Sequence, residues 1–350
     1  MPPTTRQWIL KSKPTDLPRI KGPSPTFELV TADLPKPTKS QAVLKTLFFS
    51  NDPAQRTWID PAADPDRVYM APVPIGAPMA CFALAEVVES GSPDRLAVGS
   101  LVVAVAQGWA EYSVQEIEGL RIVQPIPGLD YSHFLGALGF TGLTAYYGIK
   151  EVVATTSEDT VVVSGAAGAT GSMVVQIAKK IIGCKRVIGI AGSDEKCRWV
   201  ESLGADICIN YKKDTFKQDL TEATEGFVEV FFDNVGGDIL DFMFTRMKRN
   251  GRIAACGAIS NYNSAEATGL KNFFEVTAMR IKIYGFIVID YMHRLDEVVT
   301  ELARAWREGK IVIDDPLQTI VEARFEDVPS VWLKLFEGAN VGKLCTKIVL

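Results

Sequence analysis

Histidine is nearly absent. The 350-residue chain has only His133 and His293, which excludes a multi-histidine metal centre and leaves little imidazole for acid–base chemistry. Cysteine is sparse and scattered: Cys81, Cys184, Cys197, Cys208, Cys256 and Cys345 form no CxxC and no cluster with zinc-ligand spacing. That excludes a disulfide scaffold and predicts reduced, mostly buried thiols. Neither sign of charge dominates. With 37 Lys+Arg against 42 Asp+Glu the net charge is −5, which argues against a broad nucleic-acid or anionic-membrane surface. Long hydrophobic runs are missing as well. The uncharged stretch from Thr160 to Ala178 is broken by glycines, hydroxyl residues and a glutamine, a poor lipid-facing helix. The opening MPPTTRQWILKSKP lacks the apolar core of a secretory signal. A cytoplasmic protein with no nucleic-acid and no membrane partner is expected.

With 47% hydrophobic residues, the chain has enough apolar material for two domains. Up to about residue 130, prolines and glycines separate short apolar alternations such as Gln41–Phe49 and Leu101–Ala106, the texture of a β-rich barrel or sandwich. Pro125-Ile-Pro-Gly-Leu-Asp130 reads as a linker. Beyond it, strands are expected at Thr160–Ser164, Arg186–Ile190, Ile207–Ile209, Val228–Asp233, Gly251–Cys256 and Lys282–Ile287. Helices are expected at Gly168–Ile182, at Ser193–Leu203 with Ser193 as N-cap, and at Leu295–Glu308. Strands alternating with helices predict an α/β fold with a doubly wound, Rossmann-type parallel sheet. The tail from Gly309 reads as a return to short strands, among them Cys345–Leu350.

Chemistry enters at Gly165-Ala-Ala-Gly-Ala-Thr-Gly171, between a strand and a helix. Glycines there let backbone N–H groups approach a pyrophosphate, and the helix N-terminus adds partial positive charge. The next strand decides which dinucleotide. An NAD site usually places Asp or Glu at its tip, about 20 residues on, for the ribose 2′-OH. Here the strand ends Ile188-Gly-Ile-Ala-Gly-Ser193 with no carboxylate, although Asp194 and Glu195 follow closely. Lys196 lies one turn into the next helix, and Tyr211-Lys212-Lys213 follows the third strand. A small hydroxyl residue with nearby cations suits a 2′-phosphate, so NADP(H) is the expected cofactor.

The chain resembles the zinc-free medium-chain dehydrogenase/reductases, in the branch of leukotriene B4 12-hydroxydehydrogenase, prostaglandin reductase and alkenal double-bond reductase. The matching blocks are Gly108-Trp-Ala-Glu-Tyr-Ser113, Gly139-Phe-Thr-Gly-Leu-Thr-Ala-Tyr146, Gly168-Ala-Thr-Gly-Ser172 and Gly192-Ser-Asp-Glu-Lys196. They continue with Asn210-Tyr-Lys212, Phe232-Asp-Asn-Val-Gly-Gly237, Cys256-Gly-Ala-Ile-Ser-Asn-Tyr-Asn263 and Asn340-Val-Gly-Lys343. The resemblance implies a GroES-like catalytic domain from residues 1–131 and 310–350, and a Rossmann domain over 132–309. It implies a homodimer in which the strand near Lys282–Ile287 pairs with its counterpart. It also implies that Gly168, Ala169, Thr170 and Gly171 hold the pyrophosphate while Lys196 and Tyr211 meet the 2′-phosphate. Asn234, Cys256, Gly257, Ala258, Ile259, Ser260, Asn261, Tyr262, Phe286, Ile287, Val288 and Asn340 would line the ribose and nicotinamide.

Zinc can be weighed apart from the resemblance. Zinc alcohol dehydrogenases need Cys and His ligands in the catalytic domain, and the first 130 residues contain only Cys81. Without a Lewis acid, an isolated ketone is hard to polarise. A conjugated C=C–C=O is more accessible, because hydride at the β-carbon places negative charge on an enolate oxygen. That oxyanion needs a donor, which a tyrosine hydroxyl and the cofactor ribose can supply. The resemblance puts Tyr262 in that role. The expected reaction is NADPH-dependent reduction of an α,β-unsaturated carbonyl, with a quinone reductase or trans-acting enoyl reductase as the alternative and a non-enzymatic NADPH-binding protein behind both.

One block departs from the relatives. Where they tend to read Asp-Pro-Tyr-Met-Arg, this chain has Asp52-Pro-Ala-Gln-Arg56. Ala54 removes an aromatic ring from the expected pocket, so their substrate preference does not carry over. Trp58, Tyr69, Phe82 and Tyr146 are candidates for a differently shaped lining.

Overall fold

The computed structural model describes residues 3–105, 107–264 and 269–349. The chain forms two compact units. One reaches to Leu135 and takes in Thr319–Asn340 and the chain from Leu344 onward; the other is Gly136–Gln318 with Val341–Lys343.

The first unit begins with β1 (Thr4–Leu10), β2 (Phe27–Asp33), β3 (Gln41–Ser50), β4 (Ala83–Ser90), β5 (Leu101–Ala104), β6 (Tyr112–Glu116) and β7 (Leu120–Ile122). The first two make an antiparallel pair. The others belong to a seven-stranded sheet built on the long β3. Alternation along these strands buries Ala42, Leu44, Ala85, Val87 and Val102 in one core.

The second unit alternates as its pattern predicts. Helix α1 (Phe140–Tyr147) leads to β8 (Thr160–Val163), α2 (Ala169–Gln176), β9 (Arg186–Ala191), α3 (Asp194–Ser202), β10 (Ile207–Asn210) and α4 (Phe216–Ala223). Then come β11 (Val228–Asp233), α5 (Gly237–Phe244), β12 (Met247–Ala255), α6 (Phe274–Ala278), β13 (Lys282–Gly285) and α7 (Leu295–Arg307). The six strands are parallel, in the order β10-β9-β8-β11-β12-β13. That is the doubly wound order, with its switch point between β8 and β11. Helices on both faces explain why Val161–Val163 and Val230–Phe232 are wholly buried. Past Gln176 the helix continues through Ile182 in wider turns and ends at Gly183, whose φ is +79°.

The tail differs from the sequence reading. It holds two strands, β14 (Gln318–Ala323) and β15 (Lys343–Ile348), but between them α8 (Val328–Glu337) is a helix. The signal was present: Val328, Val331, Trp332 and Leu335 recur at helical spacing, with Pro329 in the first turn and Gly338 at φ +66° closing the last. Trp332 from this helix stands 5.7 Å from Trp109, which lies 5.1 Å from Phe27, so the helix seals the first unit's aromatic core. Leu350, the end of the expected last strand, lies outside the described residues.

Candidate functional site

The residues expected to bind cofactor in the second unit follow the carboxyl ends of its parallel strands, or lie at the N-terminus of the helix after β8. Gly168–Gly171 follow β8, Lys196 and Tyr211 follow β9 and β10, Asn234 follows β11, Cys256–Tyr262 follow β12, and Phe286–Val288 follow β13. In doubly wound sheets this edge is where ligands bind.

At the switch point a polar knot joins β8 to β11. Ser164 donates its hydroxyl to the buried Asp233 carboxylate at 2.8 Å and accepts the Asn234 N–H at 2.9 Å. The Asn234 amide donates back to the Ser164 carbonyl at 2.7 Å. Asp233 also accepts the N–H groups of Val235 and Gly236. Burial raises the Asp233 carboxyl above the usual carboxylate range despite these donors. Asn234 thus braces the glycine turn with its amide. Asp233 and Ser164, which the sequence reading did not single out, lock that brace in place.

The turn itself is tight. The Gly168 N–H reaches the Gly165 carbonyl at 2.9 Å, and a Cβ at Gly171 would lie 2.3 Å from that same oxygen. Gly168, Ala169 and Thr170 remain partly exposed at the start of α2. Backbone N–H groups at a helix start, opened by glycine, fit a pyrophosphate. A second missed residue supports the turn from behind. The Gly342 N–H donates to the Ala167 carbonyl at 2.9 Å, and Gly342 bridges Gly168 in parallel register. Its φ is +62°, and a Cβ there would sit 2.0 Å from the Leu317 carbonyl.

At the tip of β9, Ser193 caps α3 by accepting the Lys196 N–H at 3.2 Å. Burial, then the neighbouring Lys212 ammonium, lowers the Lys196 pKa, while Glu195 opposes the shift. Tyr211 donates its N–H to the Ala191 carbonyl at 3.0 Å, and its ring lies across Gly192. Two lysines and a phenol gathered beside a helix N-terminus make an anion-receptive corner, which fits a 2′-phosphate.

The segment after β12 folds back on Asn234 and Val235. Cys256 and Gly257 both donate their N–H to the Asp233 carbonyl, and Ser260 donates its hydroxyl to the Val235 carbonyl at 2.6 Å. Burial, then Asp233, pushes the Cys256 thiol up to about 12. Ile259–Asn261 form a single turn, and Tyr262 follows it, half-buried, with its phenol oxygen accepting the Ala258 N–H at 3.3 Å. Phe286 turns inward: its ring meets Phe232 at 6.2 Å, over Gly148. Ile287 and Val288 are half-buried beside it in the chain. Asn340 belongs to the first unit, in the irregular stretch between α8 and β15.

Of the other aromatics, Trp58 and Phe82 are buried against each other at 6.0 Å, and the exposed Tyr69 accepts the Trp58 indole N–H. Tyr146 is engaged elsewhere, donating to Glu301 and accepting from Lys150 at 2.7 Å. Ala54 sits in a short helix, Pro53–Ile59, whose Gln55 is buried and donates to the Ala80 carbonyl. Among the described residues, no three His, Cys, Asp or Glu side chains converge as a metal would require. Nor is any helix among them long and apolar enough to cross a membrane.

Comparison with known proteins agrees with this architecture. Residues 169–304 match the family model described as zinc-binding dehydrogenase, and residues 6–123 match the N-terminal domain of oxidoreductase. A 2-alkenal reductase (NADP(+)-dependent) of Nicotiana tabacum is 36% identical over 349 residues, covering 97% of this chain and 96% of its own. An NADPH-dependent curcumin reductase of Escherichia coli is 32% identical over 357 residues, covering 98% and 96%. The crystal structure of CurA from Vibrio vulnificus in complex with NADPH superposes with a TM-score of 0.88 at 32% identity, covering 99% of each chain.

Proposed function

We infer the reaction from one premise: this chain belongs to the medium-chain dehydrogenase/reductases, in the zinc-independent branch of the alkenal, curcumin and prostaglandin reductases. It is an NADP-dependent oxidoreductase acting on C=C bonds, and its cofactor is NADP(H).

We propose in finer detail that it reduces the double bond of an α,β-unsaturated carbonyl, without a metal. Bound NADPH supplies the hydride to the β-carbon. The chain's own residues do the rest. Gly168–Gly171 offer backbone N–H groups to the pyrophosphate, and Lys196 with Tyr211 holds the 2′-phosphate. Asn234 keeps the glycine turn in shape through Ser164. Cys256–Asn261 and Phe286–Val288 line the ribose and nicotinamide. Tyr262 donates its hydroxyl proton toward the enolate oxygen. The observation that carries this reading is the Tyr262 hydroxyl itself. It is held against the Ala258 N–H in a segment that also folds onto the switch point.

The proposed homodimer forms through β13, one of the two edge strands, where Ile283 is 41% exposed. A panel of enals, enones, quinones and simple aldehydes, followed by NADPH oxidation, tests the reaction class. Turnover should be confined to conjugated carbonyls. Reduction of isolated aldehydes in preference to enals would sink the assignment.

A further inference from the structure

We propose that Asn210 and Lys213 are positioning residues for cofactor choice: they disarm Asp194, the carboxylate next to the tip of β9. The proposal rests on the NADP(H) reading above. A carboxylate in this region serves an NAD site by holding the ribose diol, and it repels a 2′-phosphate. Asp194 is the first residue of α3, directly after the N-cap, so its charge lies within two residues of Lys196.

The structure shows what restrains it. One oxygen of Asp194, Oδ1, accepts the Lys213 ammonium at 2.8 Å and the Asn210 amide at 3.0 Å. Both partners come from the neighbouring strand, at and just beyond the end of β10. The hydrogen bonds from Lys213 and Asn210 hold the Asp194 carboxyl below its usual range, and Asp194 in turn raises the Lys213 ammonium. Asp194, Asn210 and Lys213 line a shallow depression at the outer edge of the sheet, together with Cys208, Asp219 and Glu222. That carboxylate oxygen is therefore engaged by Lys213 and Asn210 together.

Asn210 does a second thing with the same amide. Its Oδ1 accepts the Lys212 N–H at 3.0 Å, fixing the turn that carries Tyr211 and Lys212. One side chain thus ties down the restrained anion and orders the cationic side of the corner. The Asp194–Lys213 pair is about half exposed, so it adds little to stability. Its effect should appear instead in how strongly the corner attracts a dianionic group.

The test is steady-state kinetics with NADPH and NADH on the full chain. Lys213→Met should raise KM for NADPH by about three- to tenfold, the scale of a single partly screened charge. The KM for NADH should move far less, and kcat should hold. Lys213→Arg should keep the wild-type KM. Asp194→Asn combined with Lys213→Met should restore the NADPH KM to within about twofold, because no charge is left to disarm. Asn210→Ala should follow Lys213→Met in direction. An unchanged NADPH/NADH ratio in Lys213→Met overturns the proposal. A double variant as impaired as Lys213→Met also overturns it, since Lys213 would then act on the phosphate directly. A wild type indifferent to the two cofactors overturns the cofactor reading and this proposal together.

Discussion

The phenol oxygen of Tyr262 accepts the backbone N–H of Ala258 at 3.3 Å, across a single turn of chain. A phenol carries an O–H donor as well as an acceptor oxygen. Tyr262→Phe keeps the ring and removes that donor. Losing one oxyanion donor costs about 10² to 10³ in rate where it acts alone, so with a second donor present a fall in kcat of about tenfold to a hundredfold is expected. NADPH affinity should not change, and kcat and kcat/KM should fall together. Deuteride from C4-labelled NADPH should arrive at the substrate β-carbon. An undiminished kcat would move the role to another residue, and label on a carbonyl carbon would end the double-bond assignment.

Lys196 is expected to carry most of the preference for the phosphorylated cofactor. Wild type should bind NADPH at least about tenfold more tightly than NADH, the worth of roughly 1.4 kcal/mol from a charge-assisted contact. Lys196→Ala should bring the two dissociation constants close together, as read by cofactor fluorescence titration. Equal affinities in the wild type would refute the role.

Metal removal should have no effect on turnover. One matching family model is described as zinc-binding, yet the described residues offer no three-ligand group. Activity should survive exhaustive chelation, with well under one zinc per chain by elemental analysis. A stoichiometric metal whose loss abolishes activity would contradict this.

Gly342→Ala should destabilise the second unit. The added methyl would meet the Leu317 carbonyl at 2.0 Å, at a φ of +62°. Strain and clash together should cost about 2 kcal/mol or more, read as a thermal midpoint several degrees lower. The glycine turn leans on this residue through Ala167 and Gly168, so KM for NADPH should rise as well. An unshifted midpoint would show that the contact is readily relaxed.

Asp233 should make stability fall as pH rises. Its folded pKa is raised by burial above the unfolded value of about 3.9. Between those two values the folded chain binds the extra proton. Stability is therefore greatest below the unfolded pKa and declines as pH climbs through the folded one. Asp233→Asn, which keeps one acceptor for Ser164 and the Val235 N–H, should flatten that part of the pH–stability curve in denaturant titrations.

Much of this was legible in the chain. Periodicity located β8 to β13 and α7 because each strand of a parallel sheet is buried on both faces and each helix on one. Ser193, Gly165–Gly171 and the missing carboxylate after Ile190 are local signals, set by backbone geometry and charge within a few residues, so they could be read in order along the sequence. Helix α8 was missed although its spacing was helical, because it sits between two strands of the tail. Other features were not legible at all. Nothing in the order of residues says that Ser164 meets Asp233, that Gly342 comes to lie beside Gly168, or that Asn210 reaches Asp194. These pairs are separated by 69, 174 and 16 positions. The first and third exist because parallel pairing brings the carboxyl ends of strands to one edge, and the second because the chain before β15 returns to the glycine turn in an isolated bridge. Sequence fixes which chemistry a residue carries; the sheet's strand order decides which residues share a site.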